Sequence, residues 1–208
     1  MERLLLSREA RRKYESVAAG AGRLCIRLGL SASILTFSSV LLAAVTAFLL
    51  ATERFPWALA TGTLSCLLDM LDGSTARAAG TQSGYGTLLD RAADRFNEML
   101  FLLGFLLSDH ARPAVVLVAL FALLFPSYVR AVAESVAGVP DCEVGLAGRL
   151  EKLVLLTAGL LVEMALPEYR PLEWSLVLVS IIGLVTSAQR MWHARRFHLR
   201  RSREGVQR

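Results

Sequence analysis

Four aspartates fall in a stretch, residues 69–94, that otherwise has the apolar character of membrane helices. They form two pairs, Asp69 with Asp72 and Asp90 with Asp94, spaced i,i+3 and i,i+4. These spacings place both members of a pair on one face of a helix. A carboxylate at the centre of a membrane helix costs about 2.5–3.5 kcal/mol on insertion scales. Hard divalent cations prefer oxygen ligands, so the stretch predicts a metal site that offsets this cost.

The residues around the two pairs suit a nucleotide pyrophosphate. Two helices that face one another across a short turn can hold two cations between their carboxylates, an arrangement used in phosphoryl transfer. Gly73, Ala76 and Gly86 have little or no side chain, so a nucleotide can approach the backbone there. Arg77 offers a planar fork for a phosphate or a base edge. We therefore predict two divalent cations, Mg²⁺ or Mn²⁺, that bridge a pyrophosphate.

The composition of the chain is that of a polytopic membrane protein. Of its 208 residues 54% are hydrophobic, and the mean hydropathy is +0.49. The net charge is +5, and the basic residues cluster at the two ends of the chain. This distribution favours contact with membrane lipid and argues against a nucleic-acid partner.

We predict an all-α fold with six transmembrane helices. Their approximate bounds are Ser31–Ala51, Pro56–Ala79, Tyr85–Leu107, Pro113–Ala137, Ala147–Leu166 and Leu172–Trp192. The second and third are too polar to be found from hydropathy alone. This membrane domain, residues 31–192, follows a predicted juxtamembrane amphipathic helix over residues 1–30, for which a solvated basic arm is the alternative. A basic tail over residues 193–208 is predicted after it.

The distribution of Arg and Lys predicts the orientation in the cell membrane. Seven basic residues lie in residues 1–30 and seven from Arg190 onward, whereas the loops on the opposite side hold one each: Arg54, Arg112 and Arg170. Both termini are therefore predicted to be cytoplasmic. The loop between the second and third helices is then cytoplasmic too, and the aspartates open toward the cytoplasm.

Written as D-x2-D-G-x2-A-R-x8-G-x3-D-x3-D, the aspartate stretch resembles the signature of the CDP-alcohol phosphotransferases, integral-membrane enzymes of phospholipid synthesis. The resemblance implies transfer of a phosphatidyl-type group from a CDP-linked lipid to an alcohol, with release of CMP, by a homodimer. It implies that Asp69, Asp72 and Asp90 bind metal, and that Asp94 both helps to bind metal and acts as general base. We predict the nucleotide site at Asp69, Gly73, Ala76, Arg77 and Gly86.

Three arginines bear on the acceptor alcohol. By the predicted topology Arg130, Arg149 and Arg190 all lie at the cytoplasmic face, where guanidinium groups can hold a phosphate. Their segments, SYVRAVAE, GRLEKLVLL and AQR, resemble those of phosphatidylinositol-phosphate and archaetidylinositol-phosphate synthases. The resemblance implies that these arginines bind the phosphate of an inositol phosphate, and that the donor is CDP-diacylglycerol or CDP-archaeol. One departure is Ala32-Ser33, where the family often has Pro-Asn or Pro-Asp.

Other interpretations remain open on the sequence. Glycerol 3-phosphate as acceptor also needs a phosphate pocket, and a soluble CDP-activated donor is another alternative. A cation transporter uses intramembrane carboxylates but has no need of the small residues around them. Buried ion pairs of the aspartates with Arg77, Arg91 or Arg95 are the purely structural alternative, and such pairs rarely offset their own desolvation.

Overall fold

The computed structural model describes residues 19–140 and 142–205, with side chains up to residue 202. These residues form seven α-helices and one 3₁₀ turn, with no strand in the described part of the chain. The first helix, α1, covers residues 19–27. The others are α2 (Ala32–Ala51), α3 (Phe55–Ala79), α4 (Gly84–Leu106), α5 (Pro113–Ser135), α6 (Arg149–Ala165), the 3₁₀ turn (Pro167–Tyr169) and α7 (Pro171–Gly205).

The all-α prediction is confirmed for these residues, and the predicted bounds of the first five spans agree with α2–α6 to within two residues. The helix that contains the sixth predicted span, α7, continues past Trp192 to Gly205, so the end of that span stays a prediction. The residues after Trp192 include no proline and no glycine before Gly205, so nothing in the backbone stops the helix. Most of the predicted amphipathic helix, residues 1–18, lies outside the described residues.

Three helices, α2, α5 and α7, are long and apolar enough to cross a membrane by themselves. Helices α3 and α4 have the length, but their charged residues lower the hydropathy, and α6 has only 17 residues. That α3, α4 and α6 also span the membrane, for a total of six spans, therefore stays a prediction.

The chain divides into two compact units. In the described part of the chain, the first comprises residues 19–50 and 56–101, and the second comprises residues 51–55, 102–140 and 142–205.

The first unit has a polar interior. The hydroxyl of Ser65 on α3 donates to the carbonyl of Ser39 on α2 (2.7 Å), and the Asn97 amide of α4 donates to the Ser39 hydroxyl (3.3 Å). Helix α3 turns its polar residues inward and its large apolar residues outward. Buried on it are Ser65, Asp69 and Asp72, and exposed are Leu64, Leu67 and Met70. Polar contacts between helices thus replace much of the usual apolar core of this unit.

In the second unit, α7 packs closely against α5. A methyl group at Gly183 of α7 would collide with the carbonyl of Ala122 on α5. Pro126, four residues after Ala122, has no N–H to donate to that carbonyl. The approach of the two backbones therefore depends on Gly183, which faces the Ala122 carbonyl.

Candidate active site

Three of the four aspartates, from α3 and α4, lie close together. Asp69 and Asp72 lie one turn apart on α3, and Asp90 lies on α4. One carboxylate oxygen from each lies within 4.8 Å of the others. The connection between α3 and α4 is short. It begins at Gly80, which ends α3 in the left-handed conformation (φ 65°). The predicted face-to-face arrangement of carboxylates is therefore present for these three residues.

Asp72 is the most deeply placed member of this group, with 3% of its surface exposed. Its Oδ2 accepts a 2.5 Å hydrogen bond from the hydroxyl of Thr36 on α2. Its Oδ1 is buried and has no hydrogen-bond partner among the described residues. A buried anion with an unused oxygen beside two further carboxylates fits a divalent cation, which takes oxygen ligands and offsets their charge.

Asp94 lies one turn after Asp90 on α4, outside the group of three. Its Oδ2 lies 3.5 Å from the guanidinium of Arg95, which also binds the carboxylate of Glu98 at 2.8 Å. Glu98 is only 1% exposed. The contact of Asp94 with Arg95 is one of the ion pairs considered as a structural alternative. The second contact of Arg95, with Glu98, was not predicted from the sequence.

The predicted nucleotide residues lie in the second half of α3 and in the first turn of α4. Ala76 is half-buried, and its carbonyl accepts from the N–H of Thr81 at 3.1 Å, which closes the end of α3. Arg77 is exposed and donates to the hydroxyl of Ser74 at 3.0 Å. Gly86, in the first turn of α4, is exposed and donates to the Ser83 hydroxyl at 2.9 Å. Gly73 is half-buried beside Arg77.

The second unit holds the three predicted acceptor arginines, Arg130, Arg149 and Arg190. Arg130 on α5 donates from Nε to Glu134 at 2.7 Å and lies 3.3 Å from Glu143. Arg190 on α7 donates from Nε to the carbonyl of Val144 at 2.9 Å and from Nη1 to the carbonyl of Pro126. Both arginines thus contact the segment between α5 and α6.

Arg149 is the first residue of α6, directly after this segment, and is half-buried. The two glutamates on Arg130 were not among the predicted site residues. The spacing of Arg130 and Glu134 by four residues was a signal for one of them. Glu143 comes from an irregular segment, so no periodicity marked it.

Comparison with known proteins identifies the family. The sequence profile of the CDP-alcohol phosphatidyltransferases matches residues 30–197, which is most of the chain. This chain belongs to the CDP-alcohol phosphatidyltransferase family. The matched region contains the four aspartates and the three predicted acceptor arginines, Arg130, Arg149 and Arg190. As a member of a membrane-enzyme family with three helices able to span a bilayer, this phosphatidyltransferase is a membrane protein.

Relatives with named activities resemble this phosphatidyltransferase over most of its length. The archaetidylinositol phosphate synthase of Methanothermobacter thermautotrophicus is 29% identical over 165 residues, which is 79% of this chain and 83% of the relative. The phosphatidylinositol phosphate synthase of Mycobacteroides abscessus is 30% identical over 194 residues, covering 90% and 86% of the two chains.

The fold is also that of a solved enzyme, the phosphatidylinositol phosphate synthase of Mycobacterium tuberculosis. Its crystal structure with CDP-DAG superposes with a TM-score of 0.76 at 24% identity, over 86% of this chain and 94% of that one. A second crystal structure of the same enzyme contains manganese and citrate and gives a TM-score of 0.75 over 85% and 88% of the chains, also at 24% identity.

Proposed function

We propose that this phosphatidyltransferase transfers the phosphatidyl or archaetidyl group of a CDP-linked lipid to myo-inositol 1-phosphate and releases CMP. The observation that carries the proposal is the convergence of Asp69, Asp72 and Asp90 within the family signature. The relatives' names support both the donor class and the acceptor, since they are synthases of phosphatidylinositol phosphate and archaetidylinositol phosphate.

The three converging aspartates would hold divalent cations, with Asp94 as a further ligand. The oxygen-only donor set suits Mg²⁺ or Mn²⁺, and two ions are proposed because the carboxylates come from two helices. Bound cations would neutralise the pyrophosphate and stabilise the departing CMP. The manganese in the related crystal structure supports this metal class. Thr36, which holds Asp72 from α2, would keep one ligand oriented.

Side chains of this protein would accept the proton of the acceptor hydroxyl and bind the nucleotide. The acceptor hydroxyl would lose its proton to the Asp94 carboxylate as its oxygen bonds to the phosphorus next to the lipid. The bond from that phosphorus to the bridging oxygen breaks, and the oxygen leaves with CMP. Arg95 beside Asp94 would fix the position of its carboxylate. The small residues Gly73, Ala76 and Gly86 would admit the nucleotide, with Arg77 on its phosphate or base.

The acceptor's phosphate would bind to Arg130, Arg149 and Arg190. Arg130 and Arg190 are held by contacts with the same segment, so their guanidinium groups are already oriented before a ligand binds. Charge-assisted hydrogen bonds from arginine suit a phosphomonoester, whereas an unphosphorylated alcohol would leave the three guanidinium groups without an anionic ligand.

We further propose six spans with both termini and the aspartates on the cytoplasmic side, and a homodimeric enzyme in contact with membrane lipid. The excess of basic residues at both ends supports this orientation. Cysteine labelling tests it in a chain whose three native cysteines are replaced by serine. A single cysteine introduced at Thr81 would be labelled only from the cytoplasmic side, and one at Glu168 only from the opposite side.

The function is tested with purified enzyme in lipid vesicles and radiolabelled CDP-diacylglycerol or CDP-archaeol. The acceptors are inositol 1-phosphate, glycerol 3-phosphate, free inositol and serine, and the readout is labelled lipid product. We expect product with inositol 1-phosphate only, and none after chelation of divalent metal. Product with glycerol 3-phosphate instead would show that the enzyme is a phosphatidylglycerophosphate-type synthase. Metal-dependent release of CMP separates either enzyme from a cation transporter.

A further inference from the structure

The segment between α5 and α6 carries a carboxylate onto one of the acceptor arginines. Glu143 lies 3.3 Å from Nη1 of Arg130. The backbone is held on both sides of Glu143. The N–H of Cys142 donates to Glu134 at 3.4 Å, and the carbonyl of Val144 accepts from Arg190 at 2.9 Å. The position of the Glu143 backbone is therefore fixed, and its carboxylate is directed to Arg130 by the fold.

The buried neighbours of Glu143 reinforce this placement. The side chain of Cys142 is fully buried and packs with Val139 and Ala133 in one apolar cluster, against which Phe197 of α7 also packs. Moving the backbone of this segment would disturb that cluster. The Glu143 side chain, in contrast, is 45% exposed, so it can change its rotamer without a backbone movement.

The two carboxylates on Arg130 differ in character. Glu134 lies one turn along the same helix, accepts from Nε at 2.7 Å and also accepts from the N–H of Cys142. It therefore joins Arg130 to the segment and has a structural role. The contact of Glu143 is longer and more exposed, and exposed ion pairs of this kind are weak and easily exchanged. Of the two carboxylates, Glu143 is the one that a ligand would displace.

We propose that Glu143 occupies the place on Arg130 that the acceptor's phosphate takes, and so restricts this pocket to acceptors that carry a phosphate. The inference rests on the proposed function, because it assigns the acceptor to these arginines. A phosphomonoester carries a charge of about −1.5 to −2 at neutral pH and three acceptor oxygens, so it competes for the guanidinium against a carboxylate. A neutral hydroxyl carries no charge with which to displace Glu143.

The proposal predicts that wild-type enzyme binds its acceptor against competition from its own side chain. Removing the charge of Glu143 removes the competitor and the repulsion between carboxylate and phosphate. Because an exposed ion pair is weak, the gain is modest, and we expect the KM for the acceptor to fall about two- to fivefold. The donor does not contact this pocket in the proposal, so the KM for the CDP-lipid and kcat stay unchanged.

The test compares wild-type enzyme with Glu143→Gln and Glu143→Ala in vesicles with divalent metal. The expected result is a lower KM for inositol 1-phosphate in both variants with kcat and donor KM unchanged. Glu168→Gln is the matched control, since Glu168 is an exposed glutamate on the 3₁₀ turn and its loss changes the net charge equally. An acceptor KM that is unchanged or higher in both Glu143 variants overturns the proposal.

Inorganic phosphate separates this inference from the identity of the acceptor. Its half-saturating concentration is read from the rise in unfolding temperature, which requires no turnover. We expect a lower value in Glu143→Gln than in wild type, and no such difference when Arg130→Ala is present in both. If wild-type enzyme makes no product with inositol 1-phosphate, the proposed acceptor fails, and the phosphate measurement still decides the role of Glu143. Equal half-saturation in wild type and Glu143→Gln rejects that role.

Discussion

The Thr36 hydroxyl donates a 2.5 Å hydrogen bond to Oδ2 of Asp72, which joins α2 to the helix that carries the first aspartate pair. Thr36 is 4% exposed, so this bond is shielded from water. It lies outside the signature by which the family is known, and it supports one of the three converging carboxylates from a separate helix.

The first prediction concerns this bond. Thr36→Val has nearly the same shape but cannot donate, so the Asp72 carboxylate loses the contact that orients it. Loss of a group that orients a metal ligand typically lowers metal affinity about 10- to 100-fold. The measurement is activity against Mn²⁺ concentration, and Thr36→Ser, which keeps the hydroxyl, is the control. Equal metal requirements in Thr36→Val and wild type would show that the bond has no part in metal binding.

A second prediction separates the proton acceptor from the binding groups. Asp94→Asn removes the proposed base but keeps the size of the side chain, so turnover should fall at least about 100-fold. Binding of the CDP-lipid, measured by equilibrium titration, should change little. Asp109→Asn is the matched control, since Asp109 is exposed on the connection between α4 and α5, and it should keep full activity. CMP release by Asp94→Asn at close to the wild-type rate would contradict the assignment.

Third, removal of metal should abolish turnover reversibly. Dialysis against a chelator leaves Asp69, Asp72 and Asp90 as a group of like charges, so we expect a lower unfolding temperature as well as loss of activity. Both should return on addition of Mn²⁺. In Asp69→Asn with Asp90→Asn the like charges are reduced, and the unfolding temperature should no longer depend on the metal. If the unfolding temperature of the wild-type enzyme did not change with the chelator, that result would argue against cations at these three aspartates.

Fourth, Arg130→Ala and Arg149→Ala should each raise the KM for the acceptor and leave the KM for the CDP-lipid unchanged. A hydrogen bond to a charged group contributes about 1.5–3 kcal/mol, which corresponds to roughly 10- to 100-fold in affinity. Arg54→Ala, at an exposed site on the connection between α2 and α3, serves as the control. A normal acceptor KM in both variants would place the acceptor elsewhere.

Fifth, Gly183→Ala should destabilise the protein, because the added methyl group meets the carbonyl of Ala122 on α5. Overpacking at such a site costs about 1–3 kcal/mol, so we expect a clear fall in unfolding temperature. Gly20→Ala, on α1, has no atom within 4 Å of the added methyl group and should be tolerated. Similar unfolding temperatures for the two variants would mean that α5 and α7 are less closely packed than described.

The placement of the signature aspartates could be predicted from the sequence because it depends on local spacing. The pairs Asp69–Asp72 and Asp90–Asp94 are fixed by helical periodicity, and Gly80 lies between the predicted helices Pro56–Ala79 and Tyr85–Leu107. Thr36 and Glu143 were not accessible in this way. Each reaches its partner from a different element, and no periodicity links Thr36 to a residue 36 positions away.

The extent of α7 was missed for a related reason. Hydropathy marks where a segment stops being apolar, which is near Trp192, but a helix ends only where the backbone or a cap ends it. Arginine and alanine in the following residues favour the helix regardless of their polarity. The length of a span and the length of its helix are therefore separate questions, and only the first was answered from composition.

The polar inner face of α3 has a consequence for how the chain is made. A newly synthesised α3 that entered lipid alone would expose Asp69 and Asp72 to hydrocarbon, at a cost that its leucines only partly offset. Thr36 precedes Asp72 in the chain, so α2 has already been synthesised when α3 arrives. If α3 spans the membrane, its pairing with α2 through the Thr36–Asp72 hydrogen bond would lower that cost, and α3 would insert together with α2.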